Sequence, residues 1–138
     1  MCGIQVRKPS VKEIVDYLIN ILMDFDNVVF AYLYGSFARG EYHKFSDIDV
    51  AIYQKKHDTE EYLGILASIN IEGREVDLRI LNNAPPFFRY KVIKEGILLF
   101  CKDKKLHEDF VFRTLVEALE LIGALREILW SKARRHDL

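Results

Sequence analysis

Residues 35–49 read GSFARGEYHKFSDID, and they join a Gly-Ser turn, which follows the apolar run Val28–Tyr34, to two aspartates that open the next apolar run. The turn offers backbone N–H groups and the hydroxyl of Ser36 to phosphate oxygens. Asp47 and Asp49 offer carboxylates, which are oxygen ligands of the kind that Mg²⁺ takes in proteins. This layout predicts a metal-assisted phosphate site that accommodates a nucleoside triphosphate.

Hydrophobic patterning places both halves of this segment at strand ends. Val28–Tyr34 is uncharged and rich in β-branched and aromatic residues, which is typical of a strand buried on both faces. Ser36 is placed to cap a short helix through Arg39, which Gly40 stops. We predict further helices from about Ser10 to Phe25, Thr59 to Asn70, Pro86 to Glu95 and Leu106 to Arg135, and further strands at Ile48–Tyr53, Glu75–Leu81 and Ile97–Cys101. The apolar stripe predicted for the helix at 59–70 consists of Tyr62, Leu63, Leu66 and Ile69.

Strand alternation indicates that the acidic side chains can converge. Asp47 and Asp49 are two residues apart, so they project to the same side of their strand. Asp77 lies on the same face of the third strand as Arg79, and it joins the aspartate pair if the two strands are neighbours. Each residue has a simpler alternative: a solvated turn for the Asp-x-Asp pair, a surface ion pair with Arg79 for Asp77, and an ordinary tight turn for Gly35.

The spacing G-S-x10-D-x-D, formed by Gly35, Ser36, Asp47 and Asp49, resembles the signature of the nucleotidyltransferase superfamily that includes polymerase β. The resemblance is strongest to the minimal nucleotidyltransferases, the MNT proteins, and extends from about residue 28 to about residue 101. The run Glu75-Val76-Asp77-Leu78 resembles the strand that carries the family's third carboxylate. The resemblance implies an α+β fold of the polymerase-β-like type, with a small mixed sheet flanked by helices and a long C-terminal helix.

The resemblance also implies a role for each matched residue. Asp47, Asp49 and Asp77 would be catalytic and would bind two Mg²⁺ ions, with Asp77 at the nucleophile's ion and able to accept the hydroxyl proton. Gly35 and Ser36 would hold the terminal phosphates of ATP. From the residues alone, Arg39 is either a further nucleotide ligand or a plain surface arginine, and Lys91 and Lys94 are weaker candidates.

The implied activity is transfer of AMP from ATP to a hydroxyl, with release of pyrophosphate. Minimal proteins of this family are often paired with a HEPN-type toxin and act as its antitoxin by adenylylating a tyrosine. Two alternatives remain: transfer to a small molecule such as an antibiotic, and a non-catalytic subunit that occludes a partner. The clustered carboxylates argue against the last, because a site without chemistry to perform has no physical reason to keep them.

Length and composition limit the partners. A chain of 138 residues is predicted to be one domain, 1–138. Twenty Lys and Arg against 21 Asp and Glu give a formal net charge of −1, which argues against nucleic acid as a main partner. The apolar runs fall short of the roughly 18 residues that span a bilayer, which excludes a membrane-spanning helix. The oligomeric state stays open, a homo-oligomer included, and the helix at about 106–135 is predicted to serve either the core or a partner.

Cysteine and histidine usage points to a cytoplasmic protein without structural zinc. Cys2 and Cys101 provide no disulfide framework, and the N-terminus lacks the layout of a signal peptide. The four histidines lack the spacing of a zinc site, and we predict that they lie on the solvated surface: His43, His57, His107 and His136.

Overall fold

The computed structural model describes residues 10–43 and 46–136, the last two as backbone only. Its elements are α1 (Val11–Leu22), β1 (Val28–Tyr34), α2 (Ser36–Arg39), β2 (Ile48–Gln54), α3 (Thr59–Ser68), β3 (Val76–Ile80), α4 (Pro86–Glu95), β4 (Ile97–Cys101) and α5 (Lys104–His136). The strands form one sheet in the order β3-β2-β1-β4. β1 pairs antiparallel with β2 and β4, whereas β2 and β3 are parallel. The predicted α+β fold with a mixed sheet and a long C-terminal helix is confirmed.

The central strand β1 is buried along its whole length, as its uncharged sequence predicts. One face of the sheet packs on α1 and α3, with Leu18, Leu33 and Ile65 fully buried there. The other face packs on α4 and α5 through a cluster that includes Phe30 and Phe110. Both faces are covered, so a charge on β1 would lose its hydration without gaining a partner.

Several predicted boundaries match the structure at both ends, namely those of β1, α4 and β4. α1 begins where the sequence places it, because the Ser10 hydroxyl accepts from the Glu13 N–H at 3.2 Å. It ends at Leu22, three residues before the predicted Phe25, where the Asp24 N–H bonds to the Ile21 carbonyl and tightens the last turn.

Two predictions about helices are wrong, one of them in part. Of the stripe predicted for α3, Tyr62 and Ile69 pack on the core, but Leu63 is 57% exposed and Leu66 is also exposed. The fully buried residue of the helix is Ile65, which the predicted stripe left out. The helix carries apolar residues on several sides, so periodicity alone misplaced half of the stripe. Ser36 does not cap α2: it is the first residue of the helix, and Gly35 occupies the cap position without a side-chain bond.

Histidine burial also departs from expectation. His43 and His57 are exposed as predicted, but His107 is half-buried, with a ring nitrogen 2.6 Å from the Tyr32 hydroxyl. Burial raises the pKa of Tyr32 to about 12 and lowers the pKa of His107 below its usual range. Cys2 and the side chain of His136 lie outside the described residues.

A buried arginine fastens α4 to α5. Arg89 is 6% exposed, and its Nε donates to the Ala84 carbonyl at 2.9 Å. Its guanidinium also donates to the Thr114 hydroxyl at 3.3 Å and pairs with the Glu117 carboxylate, both on α5. The charge is therefore compensated where it is buried, and α4 is held at a fixed position over the sheet.

The distal half of α5 has no packing partner among the described residues. Only its first half reaches the core, where Phe110, Thr114 and Ala118 are buried. From residue 119 to 134 every side chain is exposed, including Leu129 at 61% and Trp130 at 65%. At about 1.5 Å per residue, this half extends roughly 24 Å beyond the core. Within the described part of the chain, none of the helices combines the length and the apolarity that crossing a membrane requires.

Candidate active site

The pairing of three strands brings the predicted carboxylates into one row. β2 and β3 are neighbours in parallel register, so Asp49 lies opposite Asp77. β1 places Tyr34 opposite Asp49 on its other side. Residues in one row of a sheet share a face, and neighbouring strands lie about 4.8 Å apart. Tyr34, Asp49 and Asp77 therefore cross the sheet side by side, on the face covered by α4.

The Gly-Ser bend reaches this row because residue 35 has no side chain. Gly35 has φ 77°, a conformation that favours glycine. A Cβ atom built on it would lie 3.0 Å from Cγ and 3.3 Å from Cβ of Asp49, and would overlap the carboxylate. The backbone of the bend thus contacts the Asp49 side chain directly, and α2 starts at Ser36 immediately beside it.

A cleft of about 440 Å³ opens over the row. Its lining residues are Tyr34, Gly35, Ser36, Arg39, Asp49, Asp77, Arg79, Phe88 and Lys91. Five of the six predicted site residues line it, and the sixth, Asp47, is exposed just before β2 begins. Lys91 also lines it, whereas Lys94 does not.

Negative charge is concentrated at the centre of the cleft. Partial burial and, after it, the charges of Asp77 and Asp47 raise the pKa of the Asp49 carboxyl above its ordinary value. Burial followed by the same Asp49 and Asp77 charges raises the pKa of the Tyr34 hydroxyl. Cations only partly compensate, because Lys91 and Arg79 lower the pKa of Asp49 less than the other contributions raise it.

Asp77 also forms the ion pair that the simpler reading predicted. The Arg79 Nε lies 3.4 Å from the Asp77 carboxylate, and the two side chains are 58% and 43% exposed. An exposed pair of this kind stabilises a protein by less than about 1 kcal/mol. Breaking this weak pair costs little free energy, so the Asp77 carboxylate remains available to a ligand in the cleft.

The acidic side chains suit a divalent cation by their chemistry. Within residues 10–43 and 46–136, no three Asp, Glu, His or Cys side chains form a ready-made metal site. The mutual repulsion at Asp49 is nevertheless what a cation would relieve, and carboxylate oxygens are the ligands that Mg²⁺ takes. The residues therefore fit the metal in donor type and charge.

Arg39 lies at the entrance of the cleft and is held by two acids. Its Nε donates to Glu41 at 3.0 Å, and another guanidinium nitrogen donates to Glu95 at 3.1 Å. These bonds raise the pKa of Arg39 further. The guanidinium is charged and exposed, so a triphosphate would compete with these two carboxylates for it.

The sequence analysis did not identify three of the residues that line the cleft. The places of Tyr34 and Arg79 can be predicted from strand alternation, but only once the register of the three strands is known. Phe88 packs edge-on against the Tyr34 ring at 5.6 Å, and the Arg79 guanidinium lies 5.6 Å from the Phe88 ring centre. No sequence signal marks Phe88, because its place depends on how α4 lies on the sheet.

Gly35→Ala tests the close approach and the backbone strain at residue 35 together. We expect it to lower the free energy of unfolding by about 2–3 kcal/mol, because φ 77° with ψ −152° is a conformation that only glycine adopts readily and because the new Cβ crowds Asp49. Gly40 is the control for a positive φ without crowding, since it has φ 72° with the left-handed ψ of 16° and nothing within 4 Å of a built Cβ. Gly40→Ala should cost about 1 kcal/mol. Urea unfolding of both variants measures the difference, and equal losses would contradict the close approach.

Asp49→Asn should stabilise the metal-free protein at neutral pH. The pKa of Asp49 is raised in the folded state, so its ionisation costs stability as the pH rises above the ordinary value of 3.8. The gain from Asn should therefore be full near pH 7 and vanish below about pH 4. Thermal melting across this range in chelator measures it, with the exposed Asp26→Asn as control. An asparagine variant that melts lower than the unmodified chain at pH 7 would overturn this reading.

The chain is similar along most of its length to proteins of one family. The family described as polymerase beta nucleotidyltransferase matches residues 16–105. A Methanocaldococcus jannaschii protein with the provisional name protein adenylyltransferase MJ1547 is 34% identical over 89 residues, which cover 64% of this chain and 69% of that protein.

Solved structures share the fold at lower sequence identity. One is a chain of the complex of tri-AMPylated HEPN toxin with MNT antitoxin from Shewanella oneidensis, with TM-score 0.65, 20% identity, and coverage of 89% of this chain and 98% of that chain. Another comes from a toxin-antitoxin structure with AMP-PNP, with TM-score 0.65, 23% identity, and coverage of 86% and 98%. Since the family match covers well over half of the 138 residues, the chain belongs to the polymerase β nucleotidyltransferase family and is a nucleotidyltransferase.

Proposed function

We propose that the chain transfers AMP from ATP to a hydroxyl of a partner protein, a tyrosine of a HEPN-type toxin, and acts as its antitoxin. The observation that carries the proposal is the register of Asp49 opposite Asp77, beside a bend whose glycine leaves no room for a side chain. This geometry supports phosphate binding and charge neutralisation at one point, which nucleotidyl transfer requires.

The residues of the site would take different roles according to their positions. The backbone at Gly35 and the hydroxyl of Ser36 would hold the terminal phosphates, with Lys91 and Arg39 as nearby cations. Asp47, Asp49 and Asp77 would hold two Mg²⁺ ions, which when bound neutralise the triphosphate and lower the pKa of the attacking hydroxyl. Asp77, on the outer strand, would accept the hydroxyl proton.

The choice of ATP and of a protein acceptor rests on the relatives. The M. jannaschii protein bears the name of a protein adenylyltransferase. Among the structures of the same fold, one contains AMP-PNP and another contains a tri-AMPylated HEPN toxin. The exposed distal half of α5 supports a protein partner, because an isolated apolar stripe of this length in water favours association.

Transfer of label from α-labelled ATP in Mg²⁺ tests the activity. Asp47→Asn or Asp77→Asn should lower the rate by about a thousandfold, since metal binding contributes several kcal/mol and each 1.36 kcal/mol is a factor of ten. Asp26→Asn, at an exposed position outside the cleft, should retain the rate. The acceptor supplied in this assay is a purified HEPN-type protein. Unchanged inhibition of that toxin by the two inactive variants would instead favour occlusion without chemistry.

Lysine substitutions on α5 test the partner surface. Leu125 and Leu129 are 54% and 61% exposed and lie on the apolar side of the helix, so Leu125→Lys with Leu129→Lys should abolish co-purification with the HEPN-type protein. Ser131→Lys adds one positive charge, half of what the double variant adds, on the opposite side of α5 and should leave complex formation intact. ATP binding should be unchanged in all three chains, because the cleft lies outside this segment. Complex formation by the double variant at full strength would exclude this surface.

A further inference from the structure

A half-buried arginine contacts both parts of the motif, the Gly-Ser bend and the Asp-x-Asp pair. Arg74 lies between α3 and β3. Its Cζ atom lies 4.7 Å from the centre of the Phe37 ring, a distance at which a cation is attracted to an aromatic face. Phe37 follows Ser36 in α2, is 1% exposed, and stacks on Tyr42 with 4.3 Å between the ring centres. Arg74 is therefore attached to α2 through a ring that is itself fixed by packing.

The same guanidinium holds the turn that leads to the Asp-x-Asp pair. Its Nη1 donates to the Ser46 carbonyl at 2.8 Å and to the His43 carbonyl at 3.0 Å. The turn is also closed internally, because the Ser46 N–H donates to the His43 carbonyl at 3.1 Å and the His43 N–H donates to the Ser46 hydroxyl at 2.8 Å. Ser46 is 8% exposed. Arg74 thus holds the turn against the body of the protein immediately before Asp47.

The backbone on either side of Asp47 is bonded to two consecutive residues. Before it, the Ser46 carbonyl accepts from Arg74. After it, the Ile48 N–H donates to the Glu75 carbonyl at 2.9 Å. Asp47 itself is exposed, and an exposed side chain takes its direction from the backbone that carries it. These two bonds therefore determine where the Asp47 carboxylate can reach.

We propose that Arg74 is a positioning residue, which sets the Asp47 carboxylate relative to the Gly-Ser bend. The inference rests on the proposed function, because it takes Asp47 as a metal ligand. Ten residues separate Ser36 from Asp47, and one guanidinium spans them through its contacts with Phe37 and Ser46. Arginine suits this place, since its planar group stacks on a ring while its N–H groups donate within the plane. Residues that orient metal ligands commonly change metal affinity by about tenfold to a hundredfold when they are replaced.

Mn²⁺ binding to the protein without nucleotide tests this role and needs no transfer reaction. Arg74→Met keeps an apolar stem over Phe37 and removes the donors, whereas Arg74→Lys keeps a charged donor. Electron paramagnetic resonance of the free ion gives the dissociation constant. We expect it to rise about tenfold in Arg74→Met and about threefold in Arg74→Lys. Arg113→Met, at an exposed position on α5, should bind Mn²⁺ as the unmodified chain does.

Amide hydrogen exchange of the metal-free protein separates positioning from a general loss of stability. In Arg74→Met the amides of Ser46 and Ile48 should exchange about tenfold faster, while the amide of Leu18 in α1 should be unchanged. An equal increase at all three amides would overturn the proposal, because it would mean that Arg74 only stabilises the fold. Mn²⁺ binding that is tighter in Arg74→Met than in Arg74→Lys would also overturn it, since packing and not hydrogen bonding would then carry the effect.

Asp47→Asn distinguishes a failure of this inference from a failure of the proposed function. If Asp47→Asn weakens Mn²⁺ binding but Arg74→Met does not, Asp47 keeps its role as a ligand and the positioning role is refuted. If Asp47→Asn binds Mn²⁺ as tightly as the unmodified chain, the role that the proposed function gives to Asp47 is refuted. Faster exchange at Ser46 and Ile48 in Arg74→Met would in that case still retain Arg74 as the residue that holds the turn.

Discussion

The site depends on one close approach, that of the backbone at Gly35 to the Asp49 carboxylate. It is possible because β1 and β2 pair in a register that sets Tyr34 opposite Asp49, and because residue 35 has no Cβ. The register is fixed elsewhere: all seven residues of β1 are buried, so a slip by one position would exchange its two faces and disrupt both cores. The hydrophobic core thereby determines where the Gly-Ser bend meets the Asp49 carboxylate.

The arrangement that places Asp49 beside the bend lowers the stability of the folded protein. Asp49 is partly removed from water and lies near two further carboxylates, and each of these effects disfavours its ionised form. Arg79 and Lys91 offset part of this cost, but a fold selected for stability alone would place an apolar or neutral residue at 49. A cation bound beside Asp49 would relieve the remaining repulsion, so the position that is destabilised in the free protein is one where a ligand would restore stability.

The sequence predicted those features that local signals determine. Three features lie where local signals predicted them: the strand formed by the uncharged run of β1, the start of α4 at Pro86, and the bend at the Gly-Ser pair. Features that depend on packing between distant elements were missed. α3 offers apolar residues on several sides, and only its contact with α1 and the sheet selects Ile65. His107 is half-buried because α5 crosses Tyr32, a contact across 75 positions that periodicity cannot reveal.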